Sequence, residues 1–244
     1  MSNATRLAFV AGATGYTGRA VVAALRARGV RTVAHVRPDS AEVEAWRARF
    51  AALGAEVSTA PWEAEALGAA LAALGVTEVY GLVGTTRARA KALGRDGGAG
   101  AAAAASYDAV DYGLTALLAE AARASGRAPW LVYLSSLGAD AASRNPYLRA
   151  RGRAEEAVRA AGVPFTIIRP SFVSGPDRPE SRPAERAGAV LGDGVLGLAR
   201  LFGARSFAAR YRSVSAEALA ALLIALPGDP AREGATLTLD ALRA

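Results

Sequence analysis

The feature that most constrains the fold is a short apolar run followed by three regularly spaced glycines, in residues 7–18 (LAFVAGATGYTG). The run is typical of a buried strand, and residues 19–28 carry apolar side chains at helical spacing. A strand, a glycine turn and a helix in this order are the context that a dinucleotide-binding fingerprint requires. The sequence therefore predicts a nucleotide-binding turn, and the structural alternative is a tight strand–helix turn of any α/β protein.

Each glycine of this turn has a distinct expected task. Gly12 allows a sharp bend off the strand, Gly15 lets the backbone approach a pyrophosphate, and Gly18 lets helix and strand pack closely. The helix N-terminus that follows offers N–H groups and a positive dipole end to phosphates. The cofactor-binding candidates in the turn are Gly12, Thr14, Gly15, Tyr16, Thr17 and Gly18.

Apolar runs alternate with helical patterns along most of the chain, which indicates parallel βαβ units. The predicted strands are residues 6–11, 31–36, 55–59, 78–83, 130–135 and 164–169. The predicted helices are residues 17–28, 40–52, 63–74, 106–125 and 146–161. We therefore expect an α/β fold: a Rossmann doubly wound parallel sheet in the order 3-2-1-4-5-6, with helices on both faces.

The C-terminal part of the chain is less regular than the rest. We expect residues 5–172 to form the NAD(P)-binding Rossmann core. We expect residues 173–244, with a helix at 215–226 and a strand at 235–239, to form a small substrate-covering lobe of the same single domain. Residues 85–105 are rich in Gly, Ala and Arg, and they form either a loop over the ligand crevice or an irregular start to the next helix.

The end of the second predicted strand distinguishes NADP from NAD. An acidic residue at this place binds the ribose 2′-hydroxyl, whereas an arginine accommodates the 2′-phosphate. Arg37 occupies the position, and a guanidinium matches phosphate in a bidentate manner. We therefore expect NADP(H) rather than NAD(H), the alternative being that Arg37 is an ordinary solvated arginine.

A serine and a tyrosine with a basic partner follow the fifth predicted strand. Ser136 lies at the end of this strand, 11 residues before Tyr147. Tyr147 and Arg151 are four residues apart on a predicted helix and share one face. This is a Ser…Tyr-x-x-x-basic arrangement, and the alternative for Tyr147 is a packing tyrosine.

The chain resembles the short-chain dehydrogenase/reductase superfamily, and more closely its atypical NAD(P)H-binding, NmrA-like branch with the Tat-interacting-protein-like oxidoreductases. The motifs that carry the resemblance are GATGYTG at 12–18, VRP at 36–38, GTTRA at 84–88, YLSSLGAD at 133–140, YLRARGRAEEAVR at 147–159 and IIRPSFVSG at 167–175. The match is good over roughly residues 5–176 and loose beyond them.

The resemblance implies a role for each matching residue. Tyr147 would be the general acid that protonates a carbonyl oxygen, Ser136 would hold that oxygen, and Arg151 would bind the nicotinamide ribose and favour the tyrosine phenolate. The remaining cofactor residues implied are Gly84 and Thr85 near the adenosine ribose, and Pro170 and Ser171 near the nicotinamide.

The chain departs from the superfamily at Arg151, where the family has lysine. Arginine keeps the charge but cannot lose its proton, so a proton relay through it is in doubt. Three functions stay open. The first is an NADP(H)-dependent reductase or dehydrogenase of a small carbonyl, alcohol or quinone. The second is an NADP-binding redox-sensing regulator with little turnover. The third is a reductase that transfers hydride without the tyrosine.

Composition excludes several other classes of protein. The chain has no cysteine and one histidine, which argues against disulfides, thiolate catalysis and a metal site. The net charge is +7, but the basic residues are scattered, so we expect no nucleic-acid partner. No apolar run approaches a membrane span, so we expect no membrane partner. The expectation is a cytoplasmic monomer or homodimer acting on a small-molecule substrate.

Overall fold

The computed structural model describes residues 6–85, 105–174 and 213–243. The strands in these ranges are β1 (Leu7–Ala11), β2 (Arg31–His35), β3 (Glu56–Ser58), β4 (Glu78–Gly81), β5 (Trp130–Leu134), β6 (Phe165–Arg169), β7 (Phe172–Ser174), β8 (Ser213–Ser215) and β9 (Ala235–Thr238). The α-helices are α1 (Tyr16–Ala27), α2 (Val43–Ala52), α3 (Ala64–Leu74), α4 (Leu114–Ala124), α5 (Pro146–Ala160), α6 (Ala216–Leu223) and α7 (Leu239–Arg243).

Seven of these strands form one parallel sheet in the order β3-β2-β1-β4-β5-β6-β9. The predicted order of the first six strands and the Rossmann fold class are confirmed. Phe9 of β1 is in register with Val33 of β2 on one side and with Val79 of β4 on the other. The chain reverses its direction of progress across the sheet between β1 and β4, and in folds of this kind the ligand crevice lies at that switch point.

Helices cover both faces of the sheet and create two apolar cores. One core packs α1, α6 and the Trp46 and Phe50 side chains of α2 against one face. The other packs α3, α4 and α5 against the opposite face. Because β1 contributes side chains to both cores, all five of its residues are buried, which explains its continuous apolar run.

Local signals set the start of the helix that carries the predicted tyrosine. The side chain of Asn145 caps α5 by accepting the N–H groups of Tyr147 and Leu148 at 3.0 and 3.3 Å. Pro146 takes the first helical position, where its missing N–H costs nothing. Tyr147 therefore lies in the first turn of α5, at the carboxyl edge of the sheet.

The predicted helix at 106–125 is in fact two different elements. Residues Tyr107–Gly113 are π-helical, and the regular α-helix Leu114–Ala124 follows them. We call Tyr107–Gly113 the π turn. A single π-helical turn inserted in an α-helix shifts the side chains that follow, and such turns occur frequently at functional sites.

The C-terminal elements differ from the expected lobe. Strand β9 extends the main sheet beside β6, and α6 packs against α1, so both belong to the core layers. In the described part of the chain, only β7 and β8 form a separate small sheet. Residues 86–104 and 175–212 lie outside the described residues, and with them most of the predicted crevice loop and lobe. The domain boundary at residue 172 stays a prediction.

Candidate functional site

The glycine turn after β1 has the geometry that close packing at the switch point requires. Gly12 adopts a φ of +82°, and a Cβ there would lie 2.7 Å from the backbone carbonyl of Leu82. A Cβ on Gly18 would collide with the backbone of Gly12. Both positions therefore exclude any other residue, and both of these predicted tasks match the structure.

The turn leaves the start of α1 open toward solvent. Gly15 is exposed, and its N–H donates to the carbonyl of Gly12 at 3.0 Å. None of the described side chains caps α1, and its first turn holds no acidic residue. Thr14, Tyr16 and Thr17 are half-buried around this helix end. Because a positive helix end without a capping carboxylate suits a phosphate, these residues fit a dinucleotide.

Arg37 lies just beyond β2, at the same edge of the sheet. Its side chain is 49% exposed and contacts the Asp39 carboxylate at 3.4 Å, which is a loose pair in solvent. The guanidinium is therefore able to turn toward a ligand at little cost. The nearby His35 is different, because it is buried and its Nε2 lies 2.8 Å from the carbonyl of Ala60. Burial lowers the pKa of His35, and this residue is packed in the core.

The two serines after β5 have different environments. Ser135 is buried, and its hydroxyl donates to the Glu155 carboxylate at 2.6 Å. Ser136 is half-buried, and its hydroxyl makes a 3.4 Å contact with the carbonyl of Leu137, which is a weak bond. Ser135 is therefore committed to the structure, and Ser136 is the serine that retains bonding capacity for a ligand.

Glu155 organises the ends of β5 and β6. Its carboxylate accepts Arg169 in two bonds of 2.8 and 2.6 Å and Arg159 in a third of 2.9 Å. Burial opposes the charged form, but the bonds from Arg169, Ser135 and Arg159 outweigh it, so the pKa of Glu155 is lowered. This network fixes the strand ends from which Ser136 projects.

Pro170 and Ser171 follow β6 beside the same turn. The N–H of Leu137 donates to the carbonyl of Pro170 at 2.9 Å, which joins the segment of Ser136 to the segment of Pro170. Pro170 is buried and Ser171 is half-buried. The structure therefore brings these predicted residues to one edge of the sheet, and their contact with a nicotinamide stays a prediction.

The ring of Tyr147 is held between two partners. Tyr107 of the π turn meets it edge-on, with ring centroids 5.3 Å apart. The second partner is Arg151, whose guanidinium carbon lies 5.4 Å from the centroid of the Tyr147 ring. The predicted pairing of Tyr147 and Arg151 on one helix face is therefore present.

Arg151 is buried among backbone and side-chain oxygens. Its Nη1 donates to the carbonyl of Leu134 at 2.9 Å and to the hydroxyl of Tyr133 at 3.2 Å. Its Nη2 forms an ion pair of 2.8 Å with Asp111 of the π turn. Burial opposes the charged form, but the oxygens of Tyr133, Tyr147 and Asp111 outweigh it, so the pKa of Arg151 is raised. Arg151 stays a cation at every pH of interest.

This placement bears on the predicted role of Arg151. Its side chain is only 9% exposed, and both terminal nitrogens already have protein partners. Contact with a nicotinamide ribose would compete with Asp111, so that role stays a prediction. The arrangement holds the cation in place and does not supply a mobile proton.

Asp111 is the functional candidate that sequence reasoning missed. Its carboxylate is fully buried, and its second oxygen accepts the N–H of Thr85 at 3.0 Å. The only sequence signal is an acidic residue within a mostly apolar helical pattern. Its partners lie 26 and 40 residues away along the chain, so only the fold brings them together.

Gly84 and Thr85 leave β4 directly over this ion pair. A Cβ on Gly84 would collide with the Nη2 atom of Arg151 and would lie 3.2 Å from the Asp111 carboxylate. Gly84 itself is exposed on its other side. The predicted cofactor-lining pair is thus also the cover of the buried ion pair.

A family model described as NAD(P)H-binding matches residues 12–195 of the chain. Among solved structures, an oxidoreductase of the short-chain dehydrogenase/reductase family from Burkholderia thailandensis is 21% identical, with a TM-score of 0.65 over 96% of this chain and 90% of that one. UDP-N-acetylglucosamine 4-epimerase from Bacillus cereus is 16% identical, with a TM-score of 0.62 over 96% and 77%. At these identities the likeness shows the fold.

Curated relatives match a shorter part of the chain. The mitochondrial protein fmp52 of Aspergillus niger is 47% identical over 77 residues, 31% of this chain and 32% of the relative. That of Aspergillus fumigatus is 47% identical over 79 residues, 32% of this chain and 33% of the relative. The chain therefore spans about a third of the length of these relatives.

The names of these relatives overturn one expectation from the sequence. The prediction of a cytoplasmic protein is wrong, because the matching relatives are named as mitochondrial proteins. Composition had suggested only the absence of a membrane span, and that observation does not identify a compartment. None of the helices in the described ranges has both the length and the apolar character needed to cross a membrane.

Proposed function

We propose, from the premise that this chain belongs to the NAD(P)H-binding family, that it is an NADP(H)-dependent oxidoreductase of a small carbonyl, alcohol or quinone. The observation that carries the proposal is one shared edge of the sheet. The open start of α1 after the glycine turn lies there, and so does the Tyr147 ring held by Arg151. A phosphate cradle and a restrained phenol at the same edge of the sheet are what hydride transfer to a carbonyl requires.

The residues present fit a dinucleotide. The turn from Gly12 to Gly18 would hold the pyrophosphate, since Gly15 is exposed and none of the described side chains caps the start of α1. Arg37, exposed beyond β2, would bind a 2′-phosphate, which favours NADP over NAD. Gly84 and Thr85 would contact the adenosine ribose, and Pro170 with Ser171 would lie beside the nicotinamide.

The chain's own residues would manage the substrate oxygen. A bound reduced nicotinamide would supply the hydride that reduces the carbonyl carbon. Ser136 would donate a hydrogen bond to that oxygen, because its hydroxyl makes only a weak contact in the protein. The Tyr147 hydroxyl would give its proton to the same oxygen, which leaves an alcohol, and solvent would restore the phenol proton.

The second candidate is an NADP-binding redox sensor with little turnover. The buried pair of Arg151 and Asp111 favours it, because an arginine whose terminal nitrogens are already bonded does not relay a proton. The two candidates predict the same binding but different chemistry.

An absorbance assay separates them. Purified protein is mixed with NADPH or NADH and with a panel of quinones and aldehydes, and loss of nicotinamide absorbance is followed. The oxidoreductase predicts NADPH-dependent loss with at least one compound class. Micromolar binding of NADP without turnover across the panel would instead support the sensor.

A further inference from the structure

Asp111 is a fully buried acid in the π turn. A charged carboxylate in a protein interior is costly unless it is paired and hydrogen-bonded. Asp111 meets both conditions, through Arg151 at 2.8 Å and the Thr85 N–H at 3.0 Å. Its oxygens therefore connect the exit of β4 with the helix that carries Tyr147.

Several side chains attach the π turn to α5. Arg151 pairs with Asp111, and Tyr107 packs against the Tyr147 ring. Arg153 donates to Asp108 at 2.9 Å and lies over the Tyr112 ring. Of these contacts, the Asp111 pair is the one that is fully buried and that lies beneath Gly84. The pair thus sets the distance between the β4 exit and the start of α5.

We propose that Asp111 is a positioning residue, which fixes Arg151 beneath Gly84 and cancels its charge, so that Tyr147 faces a held ion pair and not a free cation. The inference rests on the proposed function, since it takes Tyr147 as the proton donor. On this proposal Arg151, which occupies the position of the family's lysine, is one half of an ion pair with no net charge.

The charged and titratable groups around Tyr147 come from three elements. Arg151 and, farther along, Arg149 and Arg153 lie on its own helix; Tyr107, Asp108 and Asp111 lie on the π turn; Tyr133 lies on β5. The pKa of Asp111 is raised overall, because the effect of burial exceeds the opposing effects of Arg151 and of the bond from Thr85. The pairing with Arg151 and the Thr85 N–H are the interactions that favour the charged carboxylate.

Removing one charge of the pair should shift the pH midpoint of Tyr147 phenolate formation, and the direction of the shift can be predicted. Asp111→Asn keeps an oxygen for the Thr85 N–H but leaves Arg151 uncompensated, so the Tyr147 phenolate forms at lower pH. A charge within about 4–6 Å shifts such a midpoint by roughly one pH unit or more. Arg151→Met leaves Asp111 uncompensated and shifts the midpoint upward. The double variant removes both charges and returns the midpoint toward the wild-type value.

The test is an ultraviolet titration of the protein without nucleotide. The Tyr147 phenolate is isolated as the difference between each protein and its Tyr147→Phe counterpart. We expect a midpoint lower by roughly one pH unit in Asp111→Asn. The matched control is Asp108→Asn, which breaks the other π-turn ion pair, 2.9 Å long and partly exposed, and we expect no shift. An unshifted midpoint in Asp111→Asn, or an equal shift in the control, overturns the inference.

Two further comparisons keep the test decisive. If Asp111→Asn does not fold, the midpoint of Arg151→Met is compared with that of the double variant; equal midpoints overturn the inference, and a lower midpoint in the double variant supports it. The pH profile of NADPH turnover gives the second readout. Turnover that survives Tyr147→Phe contradicts the proposed function, whereas the nucleotide-free titration still decides the role of Asp111.

Discussion

The Nη2 atom of Arg151 lies 2.8 Å from the Asp111 carboxylate, in an ion pair that joins α5 to the π turn. The pair lies under the exit of β4 and next to the Tyr147 ring. A position where the superfamily pattern has lysine is therefore occupied by an arginine with a dedicated partner. This relationship determines how the site is expected to respond to mutation.

Removing one member of this pair should destabilise the protein strongly. Asp111→Ala leaves a buried guanidinium without its anion and the Thr85 N–H without its acceptor, which costs about 3–5 kcal/mol. The double variant Asp111→Ala/Arg151→Met should lose less than Arg151→Met and Asp111→Ala added together. Urea unfolding followed by circular dichroism measures both, and additive losses would show that the two residues are not coupled.

Gly12→Ala should disrupt the turn more than an alanine at an equally twisted glycine elsewhere. Gly12 and Gly29 both have positive φ, +82° and +72°, but only at Gly12 would a Cβ meet backbone, at 2.7 Å from Leu82. Gly29→Ala therefore measures the conformational cost alone, about 1 kcal/mol. We expect the loss in unfolding free energy to be larger in Gly12→Ala than in Gly29→Ala by about 1 kcal/mol or more, which is roughly the cost of overpacking. Gly12→Ala should also lose NADP binding. Equal unfolding free energies would refute the close approach to β4.

Arg37→Ala should change the choice of cofactor. The loss of a charge-assisted contact to the 2′-phosphate is worth roughly 1.5–3 kcal/mol, so the Kd for NADP should rise by about tenfold or more. The Kd for NAD should stay within about twofold, because NAD lacks that phosphate. Arg31→Ala is the control, since Arg31 is equally exposed at the opposite end of β2. Isothermal titration calorimetry measures the Kd of each variant and of the wild type for NADP and for NAD. Equal losses of affinity for the two nucleotides in Arg37→Ala would count against NADP preference.

Stability should fall as the pH drops below about 6.5, because of one residue. Burial lowers the pKa of His35, the single histidine, so the unfolded chain takes up a proton there before the folded protein does. The stability from neutral His35 is complete above the unfolded value and is lost at up to about 1.4 kcal/mol per pH unit below it. Urea unfolding between pH 8 and 5.5 tests this, and His35→Gln should flatten the slope. An unchanged slope in that variant would assign the effect to another group.

The fold was predictable because its signals are local. Buried strands such as β1 are continuous apolar runs, and the glycines at 12, 15 and 18 follow directly in sequence. The Asn145–Pro146 start of α5 is likewise a short-range signal. These features depend on neighbouring residues, so the strand order and the position of Tyr147 could be inferred before the structure.

The rest depends on contacts between distant parts of the chain. Nothing in the pattern of residues 106–125 indicated that they contain a π turn or that Asp111 faces Arg151. The sequence pointed to Ser136, but the bond that commits the neighbouring Ser135 to Glu155 is visible only in the structure. The C-terminal strand β9 was expected in a separate lobe and not beside β6, because the topology rule behind the order 3-2-1-4-5-6 covers only six strands.

The most direct test of the central claim is NADPH turnover by Tyr147→Phe. The change removes only the hydroxyl and keeps the ring contacts with Tyr107 and Arg151. With the carbonyl substrate found in the panel, the account predicts a loss of kcat of about 10²–10⁴-fold, the usual contribution of general acid catalysis, with an unchanged Kd for NADP. Tyr112→Phe, on the same π turn but facing Arg153, should retain turnover. Wild-type kcat in Tyr147→Phe would contradict the account.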